Sequence, residues 1–204
     1  MTDPNLTEVT EVTIVEATPE TTAIVKKEMP DATPETIAET AALFDAIKKR
    51  AAAEVQAAGD LTREAYLKAL QKASGAIEQN KTIAKERMTE AVSLLKKESE
   101  KNWLVVDAIK TRAQAQVQDA GEVSREAYLK AVRQAREAVE QNKFIERDRI
   151  DQAVDHIQKE TEKNWHVVVG EIESIGVRLK ETAKSAWSSL TAFFDKSDRG
   201  DSEK

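Results

Sequence analysis

Along most of this chain apolar residues return at steps of three and four, the spacing that places them on one face of an α-helix. The first such stripe is Ile37, Ala41, Phe44, Ile47, Ala51, Val55 and Ala58. Thr33 ahead of it offers a capping hydroxyl, Pro34 suits the first helical position, and Gly59 marks the stop. A second helix is expected after Leu61-Thr62, with the hydroxyl capping open amides and Leu61 stapled onto Tyr66. Its stripe is Tyr66, Ala69, Leu70, Ala73 and Ile77, and it ends near Asn80. From Ile83 a third stripe of Met88, Val92, Leu95, Trp103, Val106, Ala113 and Val117 meets neither proline nor glycine before Gly121. That predicts one rod of about 38 residues, roughly 57 Å long.

The pattern is copied. Residues 45–106 align without a gap on 107–168, with 36 of 62 positions identical, including DAIK (45–48, 107–110), REAYLKA (63–69, 125–131), EQNK (78–81, 140–143) and EKNW (100–103, 162–165). Such identity at one fixed shift reads as a duplication. Val123-Ser124 accordingly opens a second helix again, with Tyr128, Ala131, Val132, Ala135 and Val139 running toward Asn142. A third copy begins and stops early: VVGEIESIGVRLK (168–180) echoes VVDAIKTRAQAQV (105–117), displaced by one extra valine and with no second helix to follow. The last stripe, from Ile150 through Val154, Ile157, Trp165, Val168, Ile172, Ile175, Leu179, Ala183, Ala186 and Leu190 to Phe193, keeps step for over forty residues and predicts another continuous rod.

The expected fold is therefore all-α: tandem antiparallel helical-bundle repeats sharing long continuous helices, behind a disordered acidic N-terminal tail. In miniature this is the plan of spectrin repeats, reached from helix lengths alone and without a spectrin motif. The tail is assigned to residues 1–32, where Pro4, Pro19 and Pro30 interrupt a Thr, Glu and Val-rich stretch. Repeat 1 spans 33–106, repeat 2 spans 107–168, a partial third repeat with an amphipathic C-terminal helix spans 169–194, and 195–204 is a polar end.

Charge sharpens this picture. Residues 1–40 hold nine acids and two lysines, so the remainder of the chain carries 28 acids against 29 bases and is nearly neutral. Mixed signs on every helix argue against a nucleic-acid binder, which needs clustered positive charge. With no cysteine, thiolate chemistry is excluded and a reducing, intracellular compartment is favoured. Neither a secretory leader nor an apolar run of ~20 residues is present, so the expected location is cytoplasmic, with any membrane touched from outside.

Catalytic chemistry has little to start from. The only imidazoles, His156 and His166, lack the Glu-x-x-His spacing of a carboxylate-bridged metal bundle, since Ala153 and Lys163 stand three residues before them. The six glycines form no phosphate-binding loop. Asp148, Asp151 and Asp155 share a helix and could attract a divalent ion, but a solvated face paired with Arg147 and Arg149 explains them more simply. Arg199-Gly200-Asp201 spells an adhesion tripeptide by chance. No enzyme activity, cofactor, metal or small-molecule substrate is expected.

Two features point to binding. Trp103 and Trp165 stand at the junctions between repeats, as core packing at a hinge or as partner anchors. The C-terminal segment carries Leu179, Ala183, Ala186, Trp187, Leu190, Phe193 and Phe194 on one face and mostly Ser and Thr opposite. With no second helix in the partial repeat, two readings stand: the face is buried against the same chain or a dimer partner within a homo-oligomer, or it lies open and docks on lipid as an interfacial helix or on a protein partner. The stretch EKNWHVVVGEIESIGVRLKETAKSAW (162–187) resembles small helical proteins found peripherally on cyanobacterial thylakoid membranes. The resemblance implies a cytoplasm-facing, peripheral association with a photosynthetic membrane. The first expectation is thus a structural, membrane-peripheral scaffold; the alternative is a phasin-like granule coat or a late-embryogenesis-like stress protein.

Overall fold

The computed structural model describes residues 16–78, 84–142, 145–175 and 178–199. Every regular element among them is an α-helix. The helices are α1 (Pro19–Glu28), α2 (Pro34–Ala58), α3 (Arg63–Glu78), α4 (Lys85–Ala120), α5 (Arg125–Glu140), α6 (Arg147–Lys163), α7 (Trp165–Ile175) and α8 (Leu179–Arg199). They group into two compact units, Met1–Lys97 and Glu98–Lys204, so α4 contributes its start to the first and its remainder to the second.

In the first unit the local signals act as expected. Thr33 Oγ1 accepts from the Thr36 amide, Thr62 Oγ1 accepts from the Ala65 amide, and Leu61 and Tyr66 each pack against the unit's core. Gly59 closes α2 at φ 69°, a left-handed conformation that only glycine adopts without penalty. Glu54 on α2 pairs with Lys72 on α3 across the turn, as antiparallel neighbours do. Arg87, near the start of α4, bonds Thr36 near the start of α2, so these two run in the same sense. Phe44, Ile47, Ala51, Ala73, Ile77 and Leu95 close the core between the three helices.

One expectation for this unit is corrected. Residues 19–28, assigned to a disordered tail, form α1, and Val25 is fully buried against Ile37 and Ala41. Thr18 caps the helix, its own amide donates to Asp45 Oδ2 at 2.8 Å, and the Thr21 hydroxyl donates to Asp45 Oδ1 at 2.6 Å. The cue lay in the chain: Thr-Pro-Glu-Thr at 18–21 is the same start signal as at 33–36. Only the part of the assigned tail at 1–15 falls outside the described residues.

The second unit repeats the first unit's burial 62 residues on. Ile47, Ala51, Ala73, Ile77 and Leu95 find counterparts in Ile109, Ala113, Ala135, Val139 and Ile157, all buried. Ser124 caps α5 as Thr62 caps α3, and Gly121 takes the same φ of 69°. The expected rod from Ile83 to Gly121 is present as α4, whose 36 residues begin at Lys85. The second expected rod is not present. It is divided into α6, α7 and α8, with the first break at Asn164, where the backbone takes φ −131° and ψ 39°. The break lets Val168 and Ile172 turn back onto the core formed by α4, α5 and α6.

Candidate interaction surfaces and the polar interior of the second unit

Two buried charge clusters hold the second unit together. Arg149, at the start of α6, donates to Glu98 Oε2 at 2.9 Å and to Asn102 Oδ1 on α4. Burial by itself would raise the Glu98 carboxyl, but hydrogen bonding from Lys101 and the charges of Arg149 and Lys101 hold it below its ordinary range. The counterpart in the first unit is Arg87, which reaches Thr36 and Glu39 from a more exposed position. The expected partners of the α6 acids are corrected here: Arg149 turns inward, Asp151 pairs with Arg136 at 2.7 Å and Asp155 with Lys159 at 2.6 Å. No set of three metal-ligating side chains occurs among the described residues.

The second cluster fastens α7. Lys110 on α4 bonds both carboxylate oxygens of Glu160 on α6, at 2.9 and 3.1 Å, and meets Glu171 on α7 at 2.9 Å. Gln114, nearly inaccessible, donates to Glu171 Oε2 at 2.9 Å. Desolvation would lower the Lys110 ammonium, yet Glu160 and then Glu171 raise it above its ordinary value. Beside them Tyr128 is wholly buried, and its hydroxyl has no hydrogen-bond partner among the described residues. Burial first, then the fields of Glu160 and Glu171, push its pKa far up, so it stays a neutral phenol.

The C-terminal stripe is partly covered by its own chain, one of the two readings of its residues. Leu190 is fully buried and Phe194 is 8% exposed, both inside the second unit's core, because α8 folds back onto it. Trp187 and Phe193 pack against the same core and stay half-exposed, with the Arg112 guanidinium 5.5 Å from the Trp187 ring. Ala183 and Ala186 are half-buried, and the side chain of Leu179 falls outside the described set. Glu181, Lys184, Ser185, Ser188 and Ser189 face solvent. The two junction tryptophans also meet this core: Trp103 edges onto His156 at 4.9 Å, and Trp165 tilts over Tyr128 at 5.9 Å. His166 is exposed.

Sequence reasoning missed a contrast between equivalent faces. In the second unit Lys110, Gln114 and Ala115 are taken up by the polar cluster or packed against the core. Their counterparts 62 residues earlier, Lys48, Ala52 and Ala53 on α2, are exposed, together with Lys49 and Gln56. The signal lay in Gln114 standing where the first copy has Ala52, a polar group placed for a carboxylate. No helix among the described residues is long and apolar enough to cross a membrane. Comparison with protein-family models, curated proteins and solved structures finds no match to this chain.

Proposed function

We propose that this protein is a non-enzymatic helical scaffold of tandem repeats, and that it receives an amphipathic helix of a protein partner on the exposed face of α2. The reading is carried by one observation: the α2 face at Lys48, Ala52 and Ala53 is open, whereas the equivalent face of the second unit is occupied by the chain's own α7. Small alanines let a helix approach closely, and Lys48 and Lys49 suit an acidic residue on the incoming helix, as Lys110 suits Glu171. The paired state of Arg149, Glu98, Lys110 and Glu160 supports a structural use of these charged groups.

The test is a variant with Lys48→Glu and Ala53→Glu, both on exposed positions. It should keep the helical circular dichroism of the parent and lose at least tenfold in affinity for partners captured from native extract. Equal capture by parent and variant would refute the reading.

A seat on a membrane surface, such as the cytoplasmic face of a thylakoid, is the second reading. It is favoured by Trp187 and Phe193, which stay half-exposed near Lys184. Vesicle co-sedimentation decides it: if the intact protein and one lacking residues 179–194 both remain in the supernatant over anionic and neutral lipids, lipid docking is wrong.

A further inference from the structure

The tetrapeptide Glu-Lys-Asn-Trp occurs twice, at 100–103 and 162–165, and the two copies have different backbones. In the first, all four residues lie inside the uninterrupted α4. In the second, α6 stops at Lys163, Asn164 leaves helical geometry, and α7 starts at Trp165. No glycine or proline enforces the break, because the residues at 97–103 and 159–165 differ only by Ser99 against Thr161. The same local sequence is therefore compatible with both continuous helix and a one-residue break. What holds the hinge bent lies downstream, in the seat of α7: Val168 and Ile172 in the core, Trp165 over Tyr128, and Glu171 on Lys110 and Gln114.

A seat of this kind is indifferent to which copy supplies the helix. The contacts are the same when α7 comes from another molecule, and only the hinge differs. We propose that two copies of this chain exchange α7 and α8: residue 164 straightens as residue 102 does, and each copy's Glu171 binds the other copy's Lys110 and Gln114. A hinge of one residue favours this exchange, since so short a connection has a ready alternative in continuous helix. The apolar groups that leave one core, Val168, Ile172, Leu190 and Phe194, enter an identical one, so the exchange exposes no new apolar surface at equilibrium.

Charge reversal gives a test that a merely damaged fold does not pass. Lys110→Glu alone sets a carboxylate against Glu171, and Glu171→Lys alone sets an ammonium against Lys110, so each variant repels its own α7. When the two are mixed, exchange restores opposite charges at both seats. Light scattering should show a 1:1 heterodimer, absent from either variant alone, with tryptophan emission returning toward that of the parent. A mixture that stays monomeric would overturn the proposal.

Two hinge variants of the intact chain give an independent reading. Asn164→Ala favours continuous helix and removes a residue suited to helix ends, and should raise the dimer association constant roughly tenfold or more. His166→Pro places a proline in the first turn of α7, where it is tolerated, but in the interior of a straightened helix, where it is not. It should lower the same constant about a hundredfold. Equal dimer fractions for parent, Asn164→Ala and His166→Pro would refute the exchange even if the charge variants fail to fold.

Discussion

The cores of the first unit and the second are lined from equivalent positions 62 residues apart, yet the two units bury charge differently. Around the core of α2, α3 and the start of α4, the first unit keeps Lys48 in solvent and adds one short helix, α1, through Asp45 and Val25. The second unit draws Lys110, Glu160, Arg149 and Glu98 out of water, joins the partly exposed Glu171 to them, and adds two helices, α7 and α8. A duplicated apolar pattern thus sets a common core, while single polar exchanges such as Ala52 against Gln114 decide what each core recruits. Buried pairs of this type need complete partners, because removal of one member leaves a desolvated charge behind.

That contrast is open to direct attack, and the chain offers a convenient probe. All three tryptophans, Trp103, Trp165 and Trp187, belong to the second unit, so indole fluorescence reports that unit whereas far-UV circular dichroism reports both. The largest effect is expected from Arg149→Ala, which leaves Glu98 to Lys101 alone and Asn102 without its donor, and should destabilise the second unit by about 2–3 kcal/mol in urea melts followed by fluorescence. Arg87→Ala, at a side chain 26% exposed against 9% for Arg149, should cost only about 1 kcal/mol or less. Equal losses would mean that the two arginines are equivalent and that the contrast is wrong.

Tyr128→Phe removes a buried hydroxyl without a partner and should stabilise the second unit by about 1 kcal/mol. Tyr66→Phe, at the partly buried counterpart, should change stability by less. A Tyr128→Phe protein that melts earlier than the parent would show that the hydroxyl has a stabilising role. The stops test the shared part of the plan: Gly59→Ala and Gly121→Ala both place a side chain at φ 69° with open space around it, so only backbone strain is added. Each should lose about 1 kcal/mol, and by equal amounts, in thermal melts.

The smallest effect is that of pH. Glu98 has its folded pKa depressed below the ordinary 4.5, so its contribution is complete above that value and fades as pH falls through the lower folded value. Lys110 has its folded pKa raised above 10.5, so its contribution is complete below 10.5 and fades as pH rises through the higher one. Fluorescence melts should therefore show the second unit losing stability at both extremes. The acid limb attributable to Glu98 should be missing in Glu98→Gln.

How much of this was legible before the fold was known depends on whether the signal was local. Helix starts at Thr33, Thr62 and Ser124 and stops at Gly59 and Gly121 follow from hydroxyl caps and left-handed glycine, and each is found where the residues place it. The stripes likewise foretold most of the buried side chains, because spacing by three and four fixes one face whatever it packs against, although Ala58 at the end of the first stripe is exposed and the stripe tryptophans are only partly covered. The helix at 19–28 was legible too, from a start signal identical to that at 33–36, but acidic, proline-rich composition pointed the other way.

The break at Asn164 was not legible, and the burial of Leu190 and Phe194 stood only as one of two readings of an apolar stripe. Nearly the same residues form uninterrupted helix at 97–103, so the difference in backbone cannot come from them alone. By itself the sequence determined where helices can begin and end and which face of each is apolar, since those properties depend on neighbours within a turn or two. Tertiary structure alone decided whether the rod bends after Lys163, because that choice balances a few helical hydrogen bonds against apolar burial and ion pairing with residues some fifty to sixty positions away.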